Sequence, residues 1–331
     1  MAWQGGAWQV GRRGAIGLAA GAVAGLAPGR ARAQAGGFPN RAIRLVVPYA
    51  PGGGLDITAR LVAANLGELL GQPVVVENRP GANGMIGVEH VARSTPDGHT
   101  LVMDAAGISM NPSVTRAPYD PMTDLTPVAE VSRMPFVLGV TPASGLNVAQ
   151  DWVAAARRAP GTMPVAITGT SGRLAAEVVR QAAQLDLLFV PYRGAGPAVT
   201  AVISGEATSI VTDLASLSQH IAGGRVRALG IASPARSSIL PTVPTLAEQG
   251  LDVQVEQWFA IFAPGRTPAP VAERLNAAIR TVLTRPDVTQ RLATLGALPS
   301  QVDVPTFTAF FHAEVARWRD VVARGGVQIE Q

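Results

Sequence analysis

The chain has 331 residues, a formal net charge of +4 and no cysteine, and every one of its 27 basic positions is arginine. Without lysine there is no P-loop lysine, Schiff-base amine or pyridoxal-phosphate anchor, and without cysteine no disulfide framework, thiol nucleophile or thiolate metal site. The histidines His90, His99, His220 and His312 show no H-x-x-x-H pairing, which argues against a zinc enzyme.

The charge is unevenly placed. The first acidic residue is Asp56, whereas Arg12, Arg13, Arg30 and Arg32 precede Gly36. Taking these four from 27 leaves 23 arginines against 23 acidic residues. The basic excess therefore belongs to the N-terminus and is no footprint for nucleic acid. Arg12-Arg13, an apolar run from Ala15 to Ala27 and the small-x-small site Ala33-Gln34-Ala35 read as an export signal over residues 1–35. The run falls short of the ~20 apolar residues of a membrane span. Its paired arginines and Gly-rich core suit the Sec and twin-arginine routes equally.

From Arg41 the pattern alternates between buried-type strands and amphipathic helices. Ile43 to Val47 predicts a strand, and Asp56 a helix cap ahead of Ile57, Leu61 and Leu69 at helical spacing. Val74 to Val76 reads as a strand, Gly84 to Arg93 as a helix and Thr100 to Met103 as a strand. Asp120 and Asp124 fall in a Pro-rich loop as turn and cap residues. The pattern restarts with a strand at Phe136 to Val140 and a helix at Ala149 to Arg158. Further strands are expected at Leu187 to Val190, Thr208 to Thr212 and Arg227 to Ala232. Thr245 to Glu248 has capping-box spacing, ended by Gly250. After a strand at Trp258 to Ala263 the tail is helical, over 270–283, 287–295 and 305–324. Length and alternation give an α/β chain of two similar units with a helical C-terminus and a cleft between them.

Three glycine-rich strand-to-helix junctions stand out: Tyr49 to Asp56, Asn78 to Gly87 and Gly169 to Arg173. Glycine allows close backbone approach, and first-turn N–H groups with the helix dipole make an anion site that needs no lysine. Ordinary tight turns are the alternative. The second junction reads G-x-x-G-x-x-G and lacks the later acid of a dinucleotide fingerprint. Ser171, in G-T-S-G, is not a nucleophile elbow. No catalytic constellation emerges, and no cofactor or metal is expected.

The motifs Ile43-Arg44-Leu45-Val46-Val47-Pro48-Tyr49-Ala50-Pro51-Gly52-Gly53-Gly54 with Asp56, Val76-Glu77-Asn78-Arg79-Pro80-Gly81-Ala82 and Pro118-Tyr119-Asp120-Pro121 carry a resemblance. So do Val190-Pro191-Tyr192-Arg193-Gly194, Leu240 to Thr245, and Trp258-Phe259 with Ala263-Pro264-Gly265. Running in order across nearly the whole chain, they resemble the Bug-type solute receptors of tripartite tricarboxylate transporters. The resemblance implies an α/β, two-lobed periplasmic-binding-protein fold, type II-like, with residues 36–136 and 258–331 as one lobe and 137–257 as the other. It implies a non-enzymatic periplasmic receptor, monomeric, that closes on a small carboxylated metabolite and delivers it to a membrane permease. It points to Tyr49, Pro51, Gly53, Gly54, Ala82, Gly84 and Asn111 on the first lobe, and to Gly169, Thr170, Ser171, Arg173, Tyr192, Gly194 and Asp213 on the second. A secreted α/β enzyme on carboxylated metabolites and a module signalling to a sensor kinase are the alternatives.

Some positions depart from the family pattern. Leu55 replaces a small polar residue before Asp56, Arg173 replaces a common histidine, and Glu206-Ala207-Thr208 replaces a Gln/Lys-Val-Asp segment. Arg173 near a helix start suits a bidentate pair with a carboxylate, against the alternative of a solvated surface arginine. Asp213 suits either a ligand amine or, preferably, the cap of a helix over Leu214 to Ile221.

Overall fold

A computed structural model describes residues 1–2, 37–192 and 194–325. The expected export signal, apart from its first two residues, lies outside the described residues. The described residues from 37 to 325 belong to one compact unit.

The first sheet is built by short apolar runs. Strand β1 (Ile43–Val47) enters helix α1 (Gly54–Leu70), which Gly71 ends in the left-handed conformation at φ +67°. Strand β2 (Val74–Asn78), helix α2 (Met85–Ala92), strand β3 (Thr100–Ala105) and helix α3 (Gly107–Val114) follow. β1 pairs in parallel with β2 on one side and β3 on the other. Ile43, Leu45 and Val47 enter one core while Val46 enters another, so β1 is buried on both faces, as a continuous apolar run requires.

Strand β4 (Leu125–Val140) joins two sheets. Beyond it come α4 (Ala149–Arg158), β5 (Pro164–Thr168), α5 (Gly169–Ala183), β6 (Leu188–Tyr192), α6 (Ala195–Ser204), β7 (Ser209–Asp213), α7 (Leu214–Ala222) and β8 (Arg227–Ile231). Strand β9 (Glu256–Pro264) returns to the first sheet. It is followed by α8 (Ala269–Leu283), α9 (Pro286–Thr294), β10 (Leu298–Pro299) and α10 (Val304–Gly325). Leu125 to Pro135 pair antiparallel with β9, which also pairs antiparallel with β3. Phe136 to Val140 pair antiparallel with β7 and β8 in the second sheet, where β7, β5 and β6 run parallel. The strand order is β2-β1-β3-β9-β4-β7-β5-β6.

The sequence reading began this strand only at Phe136 and placed Asp120 to Pro135 outside any strand. Pro127 and Pro135 break the strand signal, yet both residues lie in the ladder. Register shifts between Pro127 and Ala129 and between Glu130 and Ser132 accommodate the irregular pairing. The capping box at Thr245 is present: Glu248 accepts from Thr245 N at 2.7 Å, and Thr245 Oγ1 accepts from Glu248 N at 3.0 Å.

Helix α10 is clamped to β9 by aromatic rings. Phe311 lies 4.8 Å from Phe262 and 6.3 Å, edge-on, from Trp258, and all three are buried. Trp152 on α4 is fully buried and donates its Nε1–H to Ser209 Oγ at 2.9 Å, tying α4 to β7. Phe311→Ala should therefore lower stability by about 3–5 kcal/mol, read as a shift in urea midpoint at constant slope.

Candidate functional site

The first junction is held by a buried carboxylate. Asp56 lies within the first turn of α1, whose N-cap is Gly53, so Asp56 is not the cap that its position suggested. Its Oδ2 accepts from Gly52 N (3.0 Å) and Arg60 Nε (3.0 Å), and its Oδ1 from Asn78 Nδ2 (2.9 Å). Burial pushes Asp56 up, but the hydrogen bonds from Arg60, Gly52 and Asn78 outweigh it and hold the carboxyl below its ordinary value. Asn78 Nδ2 also reaches Tyr49 O at 3.1 Å, so one network fixes the first two junctions together.

The Tyr49 hydroxyl is enclosed by glycines. A Cβ on Gly84 would sit 3.0 Å from it, and a Cβ on Gly107 would sit 3.5 Å away. Gly81, Ala82, Asn83 and Gly84 all have positive φ, so the chain folds back on itself ahead of α2. Asn83 O then accepts from the Tyr49 hydroxyl at 3.4 Å and from Asn111 Nδ2 at 3.1 Å. Asn111 is fully buried on α3, and its Oδ1 accepts from Thr170 Oγ1 at 2.6 Å. A single amide thus joins the second junction to the first turn of α5.

Gln257, at the start of β9, makes a second link. Its Oε1 accepts from Ala106 N and its Nε2 donates to Ser171 Oγ, both at 3.1 Å. Gly169, at φ +57°, turns β5 directly into α5, and Arg173 is half-buried in the same helix. Thr168 and Tyr192 pair across β5 and β6, so α5 and α6 leave adjacent strand ends. Gly194 precedes α6 at φ +107°. The Tyr192 hydroxyl donates to Glu206 at 2.8 Å. A Cβ on Gly54 would lie 3.4 Å from Ala215 Cβ, so the starts of α1 and α7 meet.

Helices α1, α2, α5 and α6 begin without a side-chain cap, leaving their first-turn N–H groups to other acceptors. Helix α7 differs: Asp213 caps it, accepting from Ser216 N at 2.9 Å. Burial raises the Asp213 carboxyl above its ordinary value, against the lowering effect of Ser216 and Thr212. The expected residues therefore sort into groups. Tyr49, Gly84, Asn111, Thr170 and Ser171 are linked, Gly54 faces the α7 start beside Asp213, and Gly169 and Gly194 open neighbouring helices. Pro51, Gly53 and Ala82 sit on the two loops, all three exposed.

Sequence reasoning passed over Asn83, Gln257 and Asp104. A polar residue in an otherwise apolar strand was the available signal for the last two. Asp104 is completely buried on β3. Its Oδ1 accepts from Ala105 N at 2.7 Å, and its Oδ2 has no partner among the described residues. Burial pushes this carboxyl up to about 7, against the lowering effect of Ala105 N and Tyr49. Burial likewise raises the Tyr49 and Tyr119 phenols, with the Asp104 charge adding to both shifts. Tyr49 feels Asp104 at close range, although its hydrogen bond runs to Asn83.

A folded-state value near 7 against 3.8 means the unfolded chain ionises first. Asp104 thus favours folding fully below pH 3.8, and that contribution is lost as pH rises toward 7. Asp104→Asn should remove this slope. Its stability relative to wild type should improve between pH 4 and 7.5 by on the order of 4 kcal/mol, measured by urea unfolding across that range.

Comparison with known proteins places this geometry. Residues 58–327 match the family described as the tripartite tricarboxylate transporter family receptor. The structure of the periplasmic binding protein BugD superposes with a TM-score of 0.82 at 29% identity, covering 88% of this chain and all of that one. R. palustris Rpa4515 with adipate superposes at 0.83 and 31% identity, covering 88% of this chain and 99% of that one. MatC from Rhodopseudomonas palustris with bound malate gives 0.79 and 33%, covering 86% and 100%. The fold is the α/β periplasmic-binding-protein fold, and a binding role replaces the enzymatic alternative. With a family match over most of its length, the chain belongs to the solute-binding receptors of the tripartite tricarboxylate transporters.

Proposed function

We propose that the protein is a periplasmic receptor for a small dicarboxylate, which it captures between two lobes and delivers to a tripartite tricarboxylate-type permease. The observation that carries this reading is the Asn83–Asn111–Thr170 link. It brings the uncapped start of α2, on the first sheet, next to the uncapped start of α5, on the second. Backbone N–H groups at such starts, aided by the helix dipole, suit a carboxylate in a chain without lysine. Arg173 near the α5 start supplies the charge for a second carboxylate. Relatives holding adipate and malate support the ligand class.

The lobes are residues 36–136 with 258–331, and 137–257. The change of β4 from β9 to β7 and β8 at Pro135–Phe136 supports that division. Tyr49, Pro51, Gly53, Gly54, Ala82, Gly84 and Asn111 face the solute from the first lobe. Gly169, Thr170 through its backbone N–H, Ser171, Arg173, Tyr192 and Gly194 face it from the second. Asp213 serves that wall through α7, as its cap. The receptor works as a monomer, and closure excludes water so that weak backbone contacts act at short range.

Among the described residues no helix is long and apolar enough to cross a membrane. Export with cleavage after Ala35 predicts that N-terminal sequencing of the periplasmic protein begins at Gly36. Cytoplasmic retention of an uncleaved chain would contradict the localisation.

Calorimetry of the cleaved protein against four- to six-carbon dicarboxylates should show saturable binding with the solute recovered unchanged. At a hundredfold excess over Kd, binding adds about 2.7 kcal/mol of stability. Arg173→Ala should weaken dicarboxylates about tenfold or more while leaving monocarboxylates nearly unchanged. Equal affinity of the wild type for mono- and dicarboxylates would remove the dicarboxylate assignment.

A further inference from the structure

Two buried amides hold the two hydroxyls in the first turn of α5, and backbone groups fix the sense of each amide. Gln257, 5% exposed, faces Ala106 N at one end and Ser171 Oγ at the other. A backbone N–H only donates, so Oε1 must face Ala106 and Nε2 must face Ser171. The flipped amide would set donor against donor in a buried place and leave both unsatisfied. Ser171 Oγ is therefore an acceptor on that axis, and its own proton is directed elsewhere.

Asn111 imposes the opposite polarity next door. A carbonyl only accepts, so Asn111 Nδ2 faces Asn83 O and Oδ1 faces Thr170. The Thr170 hydroxyl must then donate its proton to Asn111. Thr170 is 8% exposed, whereas Ser171 is half-buried and reaches solvent. Adjacent hydroxyls on one helix start are thus differentiated. The inner one has its proton committed, and the outer one has a proton to give, at a helix end that favours an anion.

We propose that Gln257 is a positioning residue that presents the Ser171 hydroxyl as a hydrogen-bond donor to a carboxylate oxygen of the solute, while Asn111 removes the Thr170 hydroxyl from recognition. The inference rests on the carboxylate-receptor reading and names the side chain that enforces it. A carboxylate can accept the Ser171 proton through either oxygen, whereas a carboxamide can accept it only through its carbonyl, and its amino group meets an oxygen with one lone pair already taken by Gln257. Selectivity for a carboxylate over its amide is the functional consequence.

The test has two arms. Neutron diffraction from deuterium-exchanged crystals should place deuterons on Gln257 Nε2 along the line to Ser171 Oγ and on Thr170 along the line to Asn111 Oδ1. A Ser171 deuteron pointing at Gln257 overturns the proposal. Calorimetry with succinate and adipate, each beside its monoamide, supplies the second arm. Ser171→Ala should weaken the dicarboxylate about tenfold, and Gln257→Met should narrow the preference for acid over monoamide about fivefold. The double variant should be no weaker toward acid than Ser171→Ala alone. If Gln257→Met weakens acid and monoamide equally, the residue only packs the site and the proposal falls. If the wild type binds neither acid, the carboxylate reading fails separately and the neutron map decides the hydroxyl polarity.

Discussion

The antiparallel ladder between β4 and β9 is the constraint on which the site depends. β9 lies between β3 and β4, and β4 continues past Pro135 into the second sheet without a break in the chain. One end of this ladder therefore fixes the β3 end, where Ala105 pairs with Phe259, and with it the start of α3. The same end runs on into the second sheet, where Phe136 pairs with Asp213 on β7, and so fixes the start of α7 as well. Gln257 pairs with Met134 one step before that transition, so its amide lies where it can reach both Ala106 and Ser171. The helix starts of the two sheets are placed relative to each other by one strand, not by a flexible connection. The two register shifts supply the local twist that the shared strand requires.

Local signals were legible where backbone chemistry is local. The glycine junctions sit at strand ends because left-handed turns need glycine, and Gly52, Gly81, Gly84, Gly169 and Gly194 all have positive φ. The capping box at Thr245 and the Asp213 cap need only neighbouring residues, and both read correctly from spacing. Asp56 misled because the cap, Gly53, and the first-turn acid lie only three positions apart. The side chain instead turned back to Gly52 and across to Asn78. The first half of β4 was hidden by Pro127 and Pro135, whose burial in a ladder is decided by the partner strand. α3 was hidden in the same way, with Pro112 inside it. Gln257 and Asp104 could be recognised only as polar residues in apolar strands. Their partners lie 151 and 86 residues away for Gln257, distances that spacing rules do not cover.

If the solute is the proposed dicarboxylate, a receptor without lysine faces a problem beyond attraction: its own carboxylates must not repel the solute. Asp104 lies beside Tyr49, and Asp213 caps α7, whose start meets that of α1. Ionised and unpaired, either would oppose a carboxylate through a medium that screens poorly. The two are managed differently. Asp213 is placed at a helix start, where Ser216 N and Oγ and the dipole engage its charge. Asp104 has one backbone donor among the described residues, and complete burial pushes its carboxyl up to about 7, so a large neutral fraction remains at neutral pH. Burial that destabilises the ionised fold is thus the same feature that lowers the charge beside Tyr49. In the proposed reading the attraction falls to Arg173 and to the uncapped helix starts, which glycine turns and the two amides position. The +4 of the full sequence has no part in this balance, because its excess arginines all precede Gly36.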